Sequence, residues 1–385
     1  MRKVLSTHIE LTLLLLQQAL WKDVSEDILE FVQKHSIDWN QIIDFSDKQN
    51  ITDILSYPLS SFSTTLDLPK ELSKKWDKTF QSNNTHTQEI KQVLTPIIEI
   101  CRDRQIPIIP FKEIVYKSYY PHPLYTENEI AHILIPANHQ RSFEKALLSI
   151  GGDKKQYKNS NSYIYNNVSF ETHTQTTIIA SPAGHRYLSQ LEKEQFIERY
   201  PATFNLGDLS FPTFNPIFNI LQHTAHMGRL LIIGELHLCH IINWAVMLHR
   251  ERTALGISEP KLIRHLEAMR LTQLYRALGA IADRYFQLDA DTHAGLSELT
   301  ANDINRGELI FQNIIDGHLP HCPPYKHPSS NDAITTKFKA YINLIRRCYI
   351  LRGILPRECF CTPFFTLQDT IKTFLSKHKN KRSKS

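Results

Sequence analysis

The chain has 385 residues, of which 42% are hydrophobic and 22% charged, a composition typical of globular proteins with a sizeable core. Its 12 glycines argue against glycine-rich phosphate loops and against a low-complexity protein. The formal net charge of +5 equals the charge of the basic tail at residues 377–385, so the rest of the chain is near neutral. We predict that this tail is disordered, and we expect nucleic acid as a partner nowhere else on the chain.

The cysteines and the N-terminus indicate a cytoplasmic protein. Six cysteines are scattered along the chain without the C-x-x-C spacing of a zinc ribbon or redox site, as expected for free thiols in a reducing compartment. The apolar run at residues 13–16 is too short for the hydrophobic region of a signal peptide. No apolar stretch has the length needed to cross a membrane, so we expect no membrane partner.

Residues 8–90 are predicted to be helical. The first helix carries apolar residues at helical spacing within the segment LTLLLLQQAL. Pro69 suits the first turn of a later helix that runs to Phe80. A further helix is predicted over residues 88–101.

The middle of the chain alternates between strands and helices. The apolar segment IPIIPF is bounded by charged residues, which favours a buried strand. Asn166-Asn167 is suited to the tight turn of a hairpin. The predicted order is strand 106–111, helix 112–119, strand 130–135, helix 138–150, and hairpin strands 162–165 and 168–174. This order predicts a small α/β unit with a mixed sheet.

From residue 213 onward the pattern is again helical, beginning with Asn215 as a cap and Pro216 in the first turn. We therefore predict an α+β fold, in which a small mixed-sheet core is flanked by N- and C-terminal helical regions. The predicted divisions are a helical region at 1–90, the core at 91–212, a helical region at 213–376 and the tail at 377–385.

An ordered set of short segments then points to a family. The segments are LTLLLLQQALW, IPIIPFKEIVYKSYYPHP, IAHILIP, FETH, LQHTAHM and IINWAVMLH. Their order and spacing, over about residues 8–290, resemble the bacterial nucleotidyltransferase-family proteins, an uncharacterised group similar to the DNA polymerase beta superfamily. The resemblance implies a nucleotidyltransferase-like core that takes an NTP, with Mg²⁺ as the cofactor of an active member. It does not identify the acceptor.

The chain departs from the family at its catalytic motif. The family has Asp-Ile-Asp at the start of an apolar strand that closes on proline. Counting back from Pro136, the two aspartates become Ile130 and His132. Isoleucine ligates nothing, and neutral imidazole is a poor ligand for Mg²⁺, which prefers carboxylates. Glu113 replaces a family glycine and adds a negative charge where a triphosphate would bind.

Other positions keep the family pattern. Lys112 retains the family's lysine, for which the resemblance implies phosphate binding. Glu171 retains the third carboxylate, which implies a catalytic metal ligand. His173 retains the histidine that accompanies it and that would support the metal ligands.

Two functions follow from this mixture of kept and lost residues. The first is a degenerate nucleotidyltransferase that has kept the fold in a binding or regulatory role. The second is an active enzyme that moves a nucleoside monophosphate from an NTP to an unknown acceptor. Glu127 and Glu129 have the same i, i+2 spacing as the lost aspartates, and with Glu171 they would rebuild a three-carboxylate site. In that site Glu129, Glu171 and His132 would hold the metal.

A third hypothesis is a histidine-based metal phosphohydrolase. The chain has 19 histidines, among them two pairs spaced three apart on neighbouring predicted helices, His223 with His226 and His237 with His240. Each pair shares a helix face, and four imidazoles on antiparallel helices could hold zinc or iron. No aspartate accompanies them, although metal hydrolases usually add one.

Overall fold

The computed structural model describes residues 5–21, 23–62, 66, 68–123, 130–154, 161–197, 202–206, 209–322 and 334–368. The basic tail therefore lies outside the described residues. The N-terminal region is helical, as the apolar periodicity predicts. Its helices are α1 (Thr7–Leu20), α2 (Ser25–Lys34), α3 (Trp39–Lys48), α4 (Thr52–Ser61) and α5 (Lys70–Asp103). The helices predicted over 68–80 and 88–101 are both part of α5, because the residues between them contain no glycine or proline to end a helix.

A mixed sheet forms the centre of the described structure. Its strand order is β1-β2-β5-β4-β3, in which β2 and β5 pair in parallel and the other neighbours are antiparallel. This confirms the predicted α+β class with a mixed sheet and helical flanks. The elements of this part are β1 (Ile109–Phe111), α6 (Glu113–Lys117), β2 (Ala131–Leu134), α7 (Gln140–Ser149), β3 (Asp153–Lys154), β4 (Ser162–Tyr165) and β5 (Val168–His173).

The hairpin between β4 and β5 follows the prediction. Asn166 and Asn167 have φ angles of 46° and 64°. Positive φ at both central residues is the mark of a type I′ turn, in which asparagine is favoured. The turn thereby fixes the register of β5, the strand that carries the Glu-x-His motif.

Residues 175–212 received no assignment from the sequence. They contain α8 (Pro182–Ile197) and an antiparallel ribbon of β6 (Ala202–Leu206) and β7 (Leu209–Thr213). Pro212 lies within β7 and weighs against a strand when only the sequence is read. A two-stranded ribbon tolerates the proline because each of its strands has an unpaired edge.

The C-terminal region is helical as predicted, and residues 356–368 continue it. No helix in the described part of the chain combines the length and the apolar character that a membrane span requires. All six cysteines are free thiols. The remaining helices are α9 (Pro216–Ile233), α10 (Leu238–Arg250), α11 (Arg252–Ile257), α12 (Glu259–Met269), α13 (Thr272–Phe286), α14 (Ala301–Asp316) and α15 (Ile334–Leu351).

The two faces of the sheet belong to different hydrophobic clusters. Ile133 and Phe170 face a cluster shared with α5 and α7. Phe111 and Leu134 point to the opposite face and belong to the larger cluster, which contains residues of α1–α4 and of α9–α15. Because side chains alternate along a strand, every second residue of β2 and β5 faces the C-terminal helices. The candidate site lies on that face.

The contact between α13 and α14 depends on Gly307. A Cβ atom at this position would lie 2.8 Å from the carbonyl oxygen of Ala277. We expect Gly307→Ala to lower the free energy of unfolding by about 1–3 kcal/mol through overpacking, which exceeds the roughly 1 kcal/mol that alanine adds to helix propensity. Gly256 on α11 is the matched control, since a Cβ there meets nothing within 4 Å. Gly256→Ala should be neutral or stabilising in urea denaturation, and equal losses in both variants would contradict this reading.

Candidate functional site

Three side chains converge on the face of the sheet that is turned toward the C-terminal helices. In the parallel register of β2 and β5, His132 lies opposite Glu171 and Leu134 lies opposite His173. Glu171 and His173 are two residues apart on one strand and therefore share a face. The fold thus brings together three of the residues selected from the sequence.

The distances within this group are short. His132 Nδ1 lies 2.8 Å from His173 Nε2. Glu171 Oε2 is 3.8 Å from each of these two nitrogens. One ligand atom from each residue lies within 4.8 Å of the others, and among the described residues no other group of three His, Cys, Asp or Glu side chains meets this condition.

The turn after β1 places two charged side chains, Lys112 and Glu113, near the group. Lys112 has a φ of 65° at the N-terminus of α6, and its ammonium lies 5.4 Å from the centre of the Phe111 ring. That ring makes edge contacts with both imidazoles. Glu113 Oε2 lies 3.6 Å from His132 Nε2, whereas His173 lies near the other nitrogen of the His132 imidazole, Nδ1. Glu113 was expected to act on a bound triphosphate, and its contact with His132 was not predicted.

Both imidazoles are held in the neutral form. Burial, followed by the charges of Lys112 and His173, lowers the pKa of His132 to about 2. Burial, followed by the charge of Lys112, lowers the pKa of His173 to about 4. At pH 7 the contacts of these rings with Glu171 and Glu113 therefore involve neutral imidazole and are not ion pairs.

Ile130, which stands at one of the family's aspartate positions, does not join this group. Ile130 directly precedes β2, and its side chain is 44% exposed. Glu127 and Glu129 lie outside the described residues. The carboxylate of Glu171 is thus the acid that the described part of the chain supplies at the family's catalytic positions.

The histidines of α9 and α10 are not arranged as a metal site. His223 Nε2 is bonded to the carbonyl oxygen of His240 at 2.9 Å. His240 Nδ1 accepts a hydrogen bond from the backbone N–H of His237 at 3.1 Å and so caps its own helix. Burial is the main reason that the pKa values of His223 and His240 fall to about 4 and about 3. These histidines lie buried or partly buried at the contact of α9 and α10, and within the described residues they form no group with metal-ligand spacing, as the third hypothesis would require.

The three converging side chains in the described part of the chain do not by themselves match the Mg²⁺ pair of a nucleotidyltransferase. Mg²⁺ takes hard oxygen ligands and rarely imidazole nitrogen. The described site offers two nitrogens and one carboxylate, and the second carboxylate, Glu113, lies beyond His132. Two imidazole nitrogens and one carboxylate oxygen instead match the transition-metal ions that accept mixed nitrogen and oxygen ligands.

The fold and the site define a class. A small mixed sheet with a lysine after its first strand and a Glu-x-His on a central strand is a nucleotidyltransferase-like core. The chain belongs to the family described as uncharacterised nucleotidyltransferase, whose model matches residues 35–287. Nucleotidyltransferases take NTPs and usually use divalent metals. Neither a curated protein nor a solved structure matches the chain.

Proposed function

We propose that this chain is a degenerate nucleotidyltransferase that has kept the family fold in a binding or regulatory role. The observation that carries the proposal is His132. It stands at a catalytic aspartate position, and its Nδ1 is 2.8 Å from His173. A neutral imidazole held in this way does not supply the oxygen ligand that a Mg²⁺–NTP complex requires.

The turn after β1 supports the same conclusion. In a working enzyme, a glycine after the lysine lets backbone amides approach the phosphates. Here Glu113 occupies that position and directs its carboxylate toward His132. Its negative charge opposes a triphosphate in that place, whereas Lys112 still offers a cation for a smaller anion.

Nucleotide binding tests the proposal without knowledge of the acceptor. ATP, GTP, CTP and UTP are titrated into the protein by calorimetry, each with and without Mg²⁺, using wild type and Glu171→Ala. We expect Mg²⁺ to change the affinity of wild type for any nucleotide by less than about threefold, because the clamp lacks its ligands. We also expect the same affinities in the Glu171→Ala variant.

The alternative is an active enzyme in which Glu127 and Glu129 join Glu171 around the metal. It predicts NTP binding that requires Mg²⁺ and that is lost in Glu171→Ala. That result would overturn the proposal. Arg346→Ala serves as a control because Arg346 is exposed and lies on α15, outside the sheet.

A further inference from the structure

The group of His132, Glu171 and His173 has the composition of a transition-metal site. We propose that these three side chains bind one divalent ion of the zinc type, with His132 Nδ1, His173 Nε2 and a Glu171 oxygen as ligands. The site lies where the family has its carboxylate ligands for Mg²⁺. The inference therefore rests on the proposed function, in which those carboxylates have been lost. It adds a ligand class that the family membership does not supply.

The geometry is close to that of a metal site. Zinc–nitrogen and zinc–oxygen bonds of about 2.0–2.1 Å in a tetrahedron place neighbouring ligand atoms about 3.3 Å apart. The two imidazole nitrogens are 2.8 Å apart, and the Glu171 oxygen is 3.8 Å from each. A change of about 0.5 Å in each of these three separations would therefore give the spacing of neighbouring ligands in a tetrahedral zinc site. Two histidines and one glutamate also form one of the established donor sets of zinc sites with an open position.

Glu113 gives independent support. A histidine that ligates a metal usually donates its other ring N–H to a carboxylate or a carbonyl, which fixes the tautomer. If His132 binds through Nδ1, its Nε2 carries the proton, and that atom lies 3.6 Å from Glu113 Oε2. Histidine in place of aspartate and glutamate in place of glycine are thus in contact in the fold. One bound ion accounts for both departures from the family pattern.

The charges around the site favour an anion as the remaining ligand. Three protein ligands leave one position of a tetrahedron for water or for an anionic oxygen. The carboxylates of Glu171 and Glu113 balance a divalent ion, and the ammonium of Lys112 adds a positive charge. That ammonium lies 5.4 Å from the centre of the Phe111 ring, which makes edge contacts with both imidazoles. A small oxyanion such as inorganic phosphate fits this arrangement.

Zinc binding is measured on the full chain, without nucleotide, after dialysis against a chelator. We expect one Zn²⁺ per chain by calorimetry, and a Co²⁺ complex whose visible absorption bands have the intensity of four-coordination. His132→Ala, His173→Ala and Glu171→Gln should each weaken zinc binding by at least tenfold, and Glu113→Gln by about tenfold, as for other partners of metal-bound histidines. His185→Ala, a partly exposed histidine of α8, is the matched control and should bind as wild type does.

Several results would overturn the inference. Wild type that binds no more zinc than the three ligand variants would show that the two imidazoles share only a proton. Displacement of zinc by an excess of Mg²⁺ would indicate that the zinc had been bound by carboxylates at another site, and not by these two imidazoles. Should the variants unfold, the imidazole nitrogen resonances of wild type decide: two histidines must respond to zinc, and any other number contradicts the assignment.

The two proposals fail separately. Absence of zinc binding leaves the degenerate clamp unaffected, because nucleotide binding is measured with Mg²⁺ alone. Conversely, Mg²⁺-dependent NTP binding would overturn the proposed function even if zinc also bound. Inorganic phosphate added to the Co²⁺-loaded protein should alter its visible absorption spectrum, and an unchanged spectrum would overturn the assignment of the open position to an oxyanion.

Discussion

Arg347→Ala is expected to lower the free energy of unfolding by about 3–5 kcal/mol, the largest change that we expect for any single substitution. The Arg347 side chain is fully buried at 0% exposure. Its guanidinium donates to the carbonyl oxygens of Ile232 and Leu231 at 2.8 and 2.7 Å. These carbonyls belong to the last turn of α9, where the helix dipole favours a positive charge.

The size of the effect follows from what alanine leaves behind. Two buried carbonyl acceptors lose a charged donor, at about 1–3 kcal/mol each. The lost side chain also leaves a cavity beside Gly234, whose φ of 81° ends α9 and which lies directly against the guanidinium. Since Gln222 of α9 donates a hydrogen bond to the Tyr116 hydroxyl of α6, this contact links α15 through α9 to the helix that begins at Glu113.

The adjacent Arg346 provides a matched control. It lies on the same helix but is exposed, so Arg346→Ala should change the free energy of unfolding by less than about 0.5 kcal/mol. Both variants are compared with wild type by urea denaturation followed by circular dichroism. Arg347→Lys should recover only part of the loss, because an ammonium cannot reproduce the planar pair of donors. A loss below about 1 kcal/mol for Arg347→Ala would show that water replaces the guanidinium at the end of α9.

Much of the fold could be read from local patterns. The asparagine turn predicted the β4–β5 hairpin, and the apolar runs predicted β1 and β2, although β1 begins only at Ile109. Hydrophobic periodicity predicted the helices. It could not show that α5 is continuous, because a polar segment without breakers reads equally well as a loop or as a solvated helix. Nor could it show β7, whose proline is tolerated only because of its place at an edge.

The candidate site could be read only in part. His132, Glu171 and His173 follow from counting along the family motifs, but their convergence depends on the parallel pairing of β2 with β5, which is a non-local property. The contact of Glu113 with His132 was not predicted, because the family motif assigns Glu113 to a phosphate-binding turn and does not show that the turn lies beside β2. Its signal was available: two unusual residues, a histidine for aspartate and a glutamate for glycine, occur in one motif set and carry complementary chemistry.

Asp53→Asn is expected to destabilise the protein by an amount that depends on pH. Lys117 of α6 is buried at 8% exposure. Burial lowers its pKa and the charge of Asp53 raises it, and the net result is a pKa of about 8. Without Asp53 the pKa of Lys117 falls further. Below pH 8 the variant must then either keep a buried ammonium without its counter-charge or give up its proton. This costs up to about 1.4 kcal/mol for each pH unit below 8, so up to about 3 kcal/mol at pH 6.

The sign follows from proton linkage. The pKa of Lys117 in the folded protein lies below its unfolded value of 10.5, so the unfolded chain binds more protons between the two values. The free energy of unfolding therefore rises with pH across this window, and the window begins at a lower pH in the variant. Above pH 9 Lys117 is neutral in both folded proteins, and the difference between them should vanish.

Urea denaturation at pH 6, 7, 8 and 9 measures this difference directly. The double variant Asp53→Asn with Lys117→Met should show no pH-dependent difference, because the buried cation is gone. Asp47→Asn is the control for an exposed acid, since Asp47 pairs with Lys75 at the surface. An equal loss at pH 6 and pH 9 would mean that Asp53 acts mainly through the 2.9 Å hydrogen bond from Asn83, and that its charge has little part in holding α6 against α4. Since α6 begins at Glu113, a pH-dependent loss would also identify Asp53 as the counter-charge that anchors the turn of the candidate site.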